Sequence, residues 1–179
     1  GKKFGADVPV CVASEPAFMR GIGELVEPLS HFPKMGVLMV NPRVSVATKD
    51  VFQRLDAPLL ECGKSEGFMT EPGASGVTSD RRLISESRTD FKNIDEVIRY
   101  MQSTGNDLTE AAIEIAPVIG EVLAEIERTE GCLIARLSGS GATCFGLYPS
   151  EDEAHMAAKD LIERHQDWWI APTFIRPLP

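Results

Sequence analysis

Apolar positions along the chain repeat with two different periods. Met35 to Val40 is apolar on both faces, through Gly36-Val37-Leu38-Met39-Val40, and stops at Asn41-Pro42, which predicts a buried strand. Leu133, Ala135 and Leu137 alternate with Ile134 and Arg136, and Cys144-Phe145-Gly146-Leu147-Tyr148 is again apolar, so two more strands flank a short connection. Trp168-Trp169-Ile170-Ala171 and Thr173-Phe174-Ile175 predict a fourth, and Pro172, having no N–H to donate, favours a sheet edge there. The helical period takes over elsewhere. Ile94, Val97, Ile98 and Met101 predict a helix over 94–102 that Gly105 stops. From Leu108 to Arg128 an apolar stripe of Leu108, Ala112, Ile115, Ile119, Val122, Leu123 and Ile126 is interrupted by Pro117, which predicts a kink or two helices. Ser150 is placed to cap a helix over 151–165 whose Ala154, Ala157, Ala158, Leu161 and Ile162 face inward. Thr48 can cap a shorter one over 49–55, in which Val51, Phe52 and Leu55 share a face.

Two stretches show neither period for long. Residues 8–29 read as short extended pieces, Val8 to Val12 and Ala17 to Met19, with bends at Gly21 and Gly23. Residues 57–92 are dominated by Gly, Ser, Thr, Pro and charge, which predicts a long mobile loop with one short turn near Leu83-Ile84. From Met35 onward the order is β-α-β-β-α-β with extra helices in the first crossover, the order of an α+β ferredoxin-like antiparallel sheet. That architecture hosts many unrelated activities, so function has to come from a site.

Composition narrows the classes. At 179 residues, 43% apolar and 25% charged, the chain suits one domain with a substantial core. A formal net charge of -9, with the basic pairs Lys2-Lys3 and Arg81-Arg82 isolated, argues against nucleic acid as a partner. A small anionic substrate stays compatible, because a few local donors can hold a phosphate against an unfavourable net charge. No apolar stretch reaches membrane-spanning length and the N-terminus lacks a signal-peptide core, so the expected compartment is the cytoplasm, with no membrane partner. Cys11, Cys62, Cys132 and Cys144 show no C-x-x-C spacing and are expected as buried free thiols. His31, His155 and His165 form no H-E-x-x-H pattern, His155 and His165 being expected on the solvent face of one helix, and no protein-bound metal is expected. Gly63-Lys64-Ser65 imitates the end of a P-loop, but Pro58 stands where the first glycine belongs and no helical run follows. The chain begins at Gly1 without Met and enters directly on Lys2-Lys3-Phe4-Gly5-Ala6-Asp7, which reads as a fragment.

Two segments carry candidate chemistry. Between its flanking strands, Ser138-Gly139-Ser140-Gly141-Ala142 removes Cβ atoms at alternate positions and lets backbone N–H groups approach an anion. A flexible strand connection is the plain alternative. Asp7, after Gly5-Ala6 and before an apolar stretch, can accept a proton from a substrate hydroxyl if a cation keeps it ionised, or can simply cap Val8 to Val12 as a helical turn.

Taken in order, Gly5-Ala6-Asp7-Val8-Pro9, Gly21-Ile22-Gly23-Glu24, Asn41-Pro42-Arg43-Val44-Ser45-Val46-Ala47-Thr48, Asn106-Asp107-Leu108 and Leu137-Ser138-Gly139-Ser140-Gly141-Ala142 resemble the GHMP kinase superfamily. Within it they resemble the C-terminal portion of kinases acting on a cytidine diphosphate conjugate of methylerythritol. The resemblance spans nearly the whole chain and fails mainly over 57–92. It implies a remnant of the N-terminal domain at 1–30, then a C-terminal domain at 31–179 with a ferredoxin-like antiparallel sheet and helices on one face. It further implies transfer of a phosphoryl group from ATP, with Mg2+, to a hydroxyl of the cytidine diphosphate conjugate in non-mevalonate isoprenoid biosynthesis. The family's missing N-terminal half would carry the main ATP loop, a Lys beside the catalytic Asp, and a His and Tyr that recognise cytosine, so the chain alone is expected to be inactive.

By the same resemblance Asp7 matches the catalytic Asp, and Ser138, Gly139, Ser140 and Gly141 the second glycine-rich loop near the reacting phosphates. Phe52 matches the aromatic position under the cytosine ring, and Ile22 and Thr48 match pocket-wall positions. A flat base stacks well on an aromatic face, although Phe52 also reads as an ordinary core residue of its short helix. Other GHMP kinases acting on homoserine, mevalonate or a sugar, and a non-catalytic ferredoxin-like binding domain, remain alternatives; the 41–52 segment favours the cytidine substrate.

Overall fold

A computed structural model describes residues 8–20, 25–55 and 90–175. The sheet that carries the core has four antiparallel strands in the order β4-β5-β3-β6: β3 (Met35–Asn41), β4 (Ile134–Leu137), β5 (Cys144–Tyr148) and β6 (Trp169–Ile175). With β3 counted as the first strand, this is the ferredoxin-like order that the sequence pattern predicts. The most apolar strand, β3, is central, flanked by β5 with Leu38 opposite Gly146 and by β6 with Leu38 opposite Pro172. Pro172 therefore lies on an edge strand, where its missing N–H leaves no interior ladder position empty.

Alternation along the strands divides the sheet into two faces. Leu38, Val40, Ala135, Leu137, Cys144 and Tyr148 point to one, which is covered by helices α5 (Val118–Glu127) and α6 (Glu151–Arg164). Two glycines allow that approach. A Cβ on Gly36 would stand 2.0 Å from the Ser150 carbonyl oxygen at the start of α6, and one on Gly146 would stand 2.5 Å from Ile126 Cγ2 on α5. Ser150 caps α6 as expected, its Oγ accepting the Glu153 N–H at 3.3 Å. Pro117 separates α4 (Thr109–Ile115) from α5 and occupies the N-cap of the latter, where its lack of a donor costs nothing.

The other face is covered as well, which the expectation of helices on one face does not include. Met35, Val37, Ile134 and Leu147 pack there with Val97 of α3 (Ile94–Ser103) and with Phe91. Phe91 is 2% exposed, and its ring centroid lies 6.2, 5.8 and 5.5 Å from those of Phe18, Phe32 and Tyr100. Phe18 belongs to β1 (Ala17–Arg20), which pairs with β2 (Leu25–Pro28) as a two-stranded antiparallel sheet. The predicted loop over 57–92 therefore ends in a packed anchor at 90–92; the rest of it, the turn near Leu83-Ile84, Gly63-Lys64-Ser65 and Cys62 included, lies outside the described residues.

Several local expectations are corrected. Of the two readings of Val8 to Val12, the helical turn stands and the extended piece does not: Val8–Ala13 forms a six-residue helix, α1. Ile162 is 49% exposed, because the inward stripe of α6 is filled by Ala154, Ala157, Ala158 and Leu161. Cys11 is exposed and Cys132 half-buried; only Cys144, of the described cysteines, is the buried thiol expected. His155 is exposed, but His165 is half-buried, its ring stacked on Trp168 at 3.8 Å between centroids. No helix of the described residues is long and apolar enough to cross a membrane.

Candidate functional site

The glycine-rich connection of β4 to β5 is an ordered turn held by side chains from three other elements, not a slack tether. Ser138 N–H donates to the Thr143 carbonyl at 2.9 Å and Gly141 N–H to the Ser138 carbonyl at 3.0 Å. Gly139 and Gly141 have φ of 57° and 91°, the left-handed region that a side chain resists. At Gly141 a Cβ would also meet Leu137 Cδ1 at 3.1 Å and Ile119 Cδ1 at 3.3 Å. Among the described residues, the N–H groups of Gly139, Ser140 and Ala142 donate to no main-chain carbonyl. Successive undirected N–H donors on a glycine turn are what an anion needs from a backbone.

Asn106, between α3 and α4, holds the entry of this turn. Its Nδ2 donates to the Leu137 carbonyl at 3.0 Å and the Gly139 carbonyl at 2.7 Å, while its Oδ1 accepts Leu108 N–H at 3.0 Å. Asn41, at the end of β3, holds the exit: its Nδ2 donates to Thr143 Oγ1 at 2.9 Å and its Oδ1 accepts Arg43 N–H at 2.7 Å. The middle is met by α2 (Thr48–Arg54). Thr48 Oγ1 and Ser140 Oγ share a hydrogen bond of 2.8 Å. Thr48 thus spends its hydroxyl on the loop and does not cap its own helix, whose N-cap is Ala47 without a side-chain bond.

One turn along α2, Phe52 stands on the same side as Thr48 and is 57% exposed. Val51 is the residue of this helix that enters the core. The reading of Phe52 as a core residue is thereby corrected: at four residues' spacing from Thr48, its ring lies on the helix face that reaches the glycine loop. Of the residues singled out in the sequence, Thr48 meets the Ser138–Gly141 turn through Ser140, and Phe52 stands one turn along the helix from Thr48; Asp7 and Ile22 lie outside the described residues.

The chemistry open to these groups is binding and orientation. Burial pushes the Cys144 thiol, just past the loop, up to about 12, so it is no nucleophile at neutral pH. Among the described residues no cluster of three or more His, Cys, Asp or Glu can hold a metal ion. A cavity of about 790 Å³ opens behind Asn106 against the free edge of β4, lined in part by Thr104, Asp107, Glu110, Glu127 and Arg136, and it includes neither Thr48 nor Phe52. The structural roles of Asn41 and Asn106 are not assigned from sequence, where they read as a strand stop and a helix boundary. The available signal was their type: each is a short amide at a chain reversal, able to donate and accept at once.

The model of the family described as GHMP kinases C terminal matches residues 83–166. Over 94% of this chain, a 4-diphosphocytidyl-2-C-methyl-D-erythritol kinase of Rhodopseudomonas palustris is 41% identical and one of Paramagnetospirillum magneticum 42% identical. The chain spans about half the length of these curated relatives, 52% of each. Among solved structures, a 4-(cytidine 5'-diphospho)-2C-methyl-D-erythritol kinase matches with a TM-score of 0.60 at 24% identity, covering 96% of this chain and 54% of that one. A homoserine kinase from Cytophaga hutchinsonii matches with a TM-score of 0.63 at 16% identity, covering 95% and 50%. These structural likenesses carry the fold, and the family match and the sequence relatives carry the kinship: the chain contains a GHMP kinase C-terminal domain.

Proposed function

We propose that this chain is the C-terminal portion of an ATP-dependent kinase that phosphorylates a hydroxyl of 4-diphosphocytidyl-2-C-methyl-D-erythritol in non-mevalonate isoprenoid biosynthesis. The observation that carries the reading is the hydrogen bond between Thr48 and Ser140, which fixes an exposed aromatic helix against a glycine turn with undirected N–H donors. A flat base and a phosphate are the two ends of the substrate pair, and this bond couples a platform for one to a cradle for the other. Phe52 stacks the cytosine ring, with Thr48 and Ile22 walling the pocket. Gly139, Ser140 and Gly141 line the phosphate path, with Ser138 anchoring the turn. Asp7 orients the acceptor hydroxyl and takes its proton as the oxygen bonds to the γ-phosphorus of ATP and ADP leaves.

The turn fits the phosphates of ATP, since its oriented N–H groups offset charge without a covalent partner. Mg2+ accompanies ATP in this reading, held largely by the phosphates themselves, while the residues of the turn act on the phosphate directly. Residues 1–30 are read as a remnant of the N-terminal domain and 31–179 as the C-terminal domain. The other half of the kinase supplies the main ATP loop, so this portion alone does not turn over, and the working compartment is the cytoplasm.

The test is an acceptor panel on the full-length parent protein with ATP, comparing the cytidine diphosphate conjugate with homoserine, mevalonate and galactose. Transfer to the conjugate alone, suppressed by cytidine nucleotides, is expected. Preference for another alcohol overturns the substrate assignment, and Asp7→Asn with turnover within about tenfold of wild type removes the base assignment.

A further inference from the structure

The glycine turn owes its shape to a side chain outside it. A single amide group, Asn106 Nδ2, donates to two carbonyls of the turn, Leu137 and Gly139, at 3.0 and 2.7 Å. Both protons of the amide are thus committed, and one lone pair of Oδ1 is committed to Leu108 N–H at 3.0 Å. The amide cannot rotate without breaking contacts with two carbonyls of one turn, 31 and 33 residues distant in sequence. In a trans peptide the N–H points opposite to the C=O, so holding the Gly139 carbonyl toward Asn106 aims the Ser140 N–H away from it, while the Ser138 carbonyl, and with it the Gly139 N–H, is fixed within the turn by the Gly141 N–H. The N–H groups of Gly139 and Ser140, which have no main-chain acceptor among the described residues, lie in that stretch. Gly139 at φ 57° has the backbone freedom to be held this way, and a Cβ there would meet nothing within 4 Å, so its conformation is set by the clamp and not by crowding.

We propose that Asn106 is a positioning residue that presets the Ser138–Ala142 turn for an anionic phosphate, acting through the Leu137 and Gly139 carbonyls without touching the ligand. The inference rests on the kinase reading for the identity of that phosphate as one of ATP. Asparagine is required because the position must donate twice and accept once within a small volume. Aspartate has the same shape and keeps the acceptor for Leu108 N–H, but sets a carboxylate against two carbonyl oxygens.

The experiment compares wild type, Asn106→Asp and Asn106→Ala in the full-length parent protein, reading melting temperature, ATP affinity by calorimetry, kinetic constants and amide hydrogen exchange. Displacement of reacting groups by about an ångström costs about a hundredfold. The expected result is therefore a loss of about that size in kcat/KM for ATP in Asn106→Asp, with KM for the acceptor alcohol unchanged and melting nearly unchanged. In wild type, the Gly139 and Ser140 amides should exchange quickly without ATP and become protected with it, a readout that needs no variant to fold. ATP affinity and kcat within threefold of wild type in a folded variant, or loop amides indifferent to ATP in wild type, overturn the proposal. Both readouts concern the nucleotide, so failure on the acceptor panel strikes the substrate assignment and leaves these outcomes separately legible.

Discussion

Phe52 shows how exposure discriminates between two uses of an aromatic residue. A phenylalanine on a seven-residue helix is ordinarily a core anchor, yet here Val51 is fully buried and Phe52 is 57% exposed. Truncating it removes little packing, so Phe52→Ala should leave the melting temperature close to wild type while weakening binding of the cytidine conjugate by roughly 1–3 kcal/mol, the worth of a base stacked on a ring. Titration of the full-length protein with the conjugate checks this, and unchanged affinity would make Phe52 an incidental surface residue. A second residue-scale prediction concerns Thr129, the buried polar residue of the described core. Its Oγ lies 2.6 Å from the Ile126 carbonyl and 2.6 Å from the Tyr148 hydroxyl. A threonine hydroxyl has one proton, and a carbonyl cannot supply one, so Thr129 donates to Ile126 and Tyr148 donates to Thr129. Burial raises the Tyr148 hydroxyl well above its usual range, keeping it a donor. Tyr148→Phe then leaves Thr129 bonded and should cost about 1 kcal/mol, whereas Thr129→Val takes the oxygen acceptor from a buried phenol, leaving it only the weaker Cys132 sulfur, and should cost about 1–3 kcal/mol. Denaturant titration of both variants decides the order, and equal losses would refute the direction of donation.

At the scale of elements, α5 and α6 are tied at the protein surface as well as through the sheet. Glu125 of α5 meets Arg128 at 2.6 Å, Arg164 of α6, and His165 Nε2 at 3.4 Å. Burial pushes its carboxyl up, but hydrogen bonds from His165, Arg128 and Arg164 outweigh that and hold it below its ordinary 4.5. A lowered folded-state value means that the unfolded chain binds more protons as pH falls through 4.5. The stabilisation is therefore complete above that value and is lost below it. Glu125→Gln should reduce stability at pH 7 by about 1 kcal/mol or less, given the partly exposed partners, and should flatten the loss between about pH 5 and pH 3. Thermal melts across that range measure it; an identical acid slope in both proteins would remove Glu125 from the account. Which elements were legible in the sequence follows from how much of each is local. Pro117, Pro172 and Ser150 act through their own backbone or the next turn, and the break, the edge strand and the cap all stand where the sequence puts them. The expected cap by Thr48 fails because capping is the one use of its hydroxyl that is local, and only the fold brings Ser140 to it across 92 residues. Asn41 and Asn106 were legible as chain reversals for the same reason, and their grip on the loop was not, since their partners are 102 and 31 residues away. Val8 to Val12 reads both as an extended piece and as a helical turn, because so few apolar and small residues carry no period long enough to separate the two.

On the scale of the whole molecule, strand order was readable and face assignment was not. The stripe of α3 says that one side of the helix is buried, but nothing local says against which face of which sheet, and it covers the face opposite α5 and α6. Phe91 is the centre of that second layer, touching rings from β1 (Phe18), from the segment before β3 (Phe32) and from α3 (Tyr100). Phe18 and Leu29 lie in the stretch proposed as a remnant of the N-terminal domain, yet they share an apolar cluster with Met35, Val37, Ile134 and Leu147 of the main sheet. If one core serves both stretches, they cannot unfold separately. Phe91→Ala should cost about 3–5 kcal/mol, because a ring with three aromatic neighbours leaves a cavity that none of them can close alone. Unfolding of the β1–β2 pair and of the four-stranded sheet should stay coincident in both wild type and variant, read by hydrogen exchange under increasing denaturant at Phe18, in a hydrogen-bonded pair with Glu27, and at Leu38. A loss of under about 1 kcal/mol, or release of Phe18 well before Leu38 in wild type, would mean that the aromatic layer decorates the sheet without joining the hairpin to it.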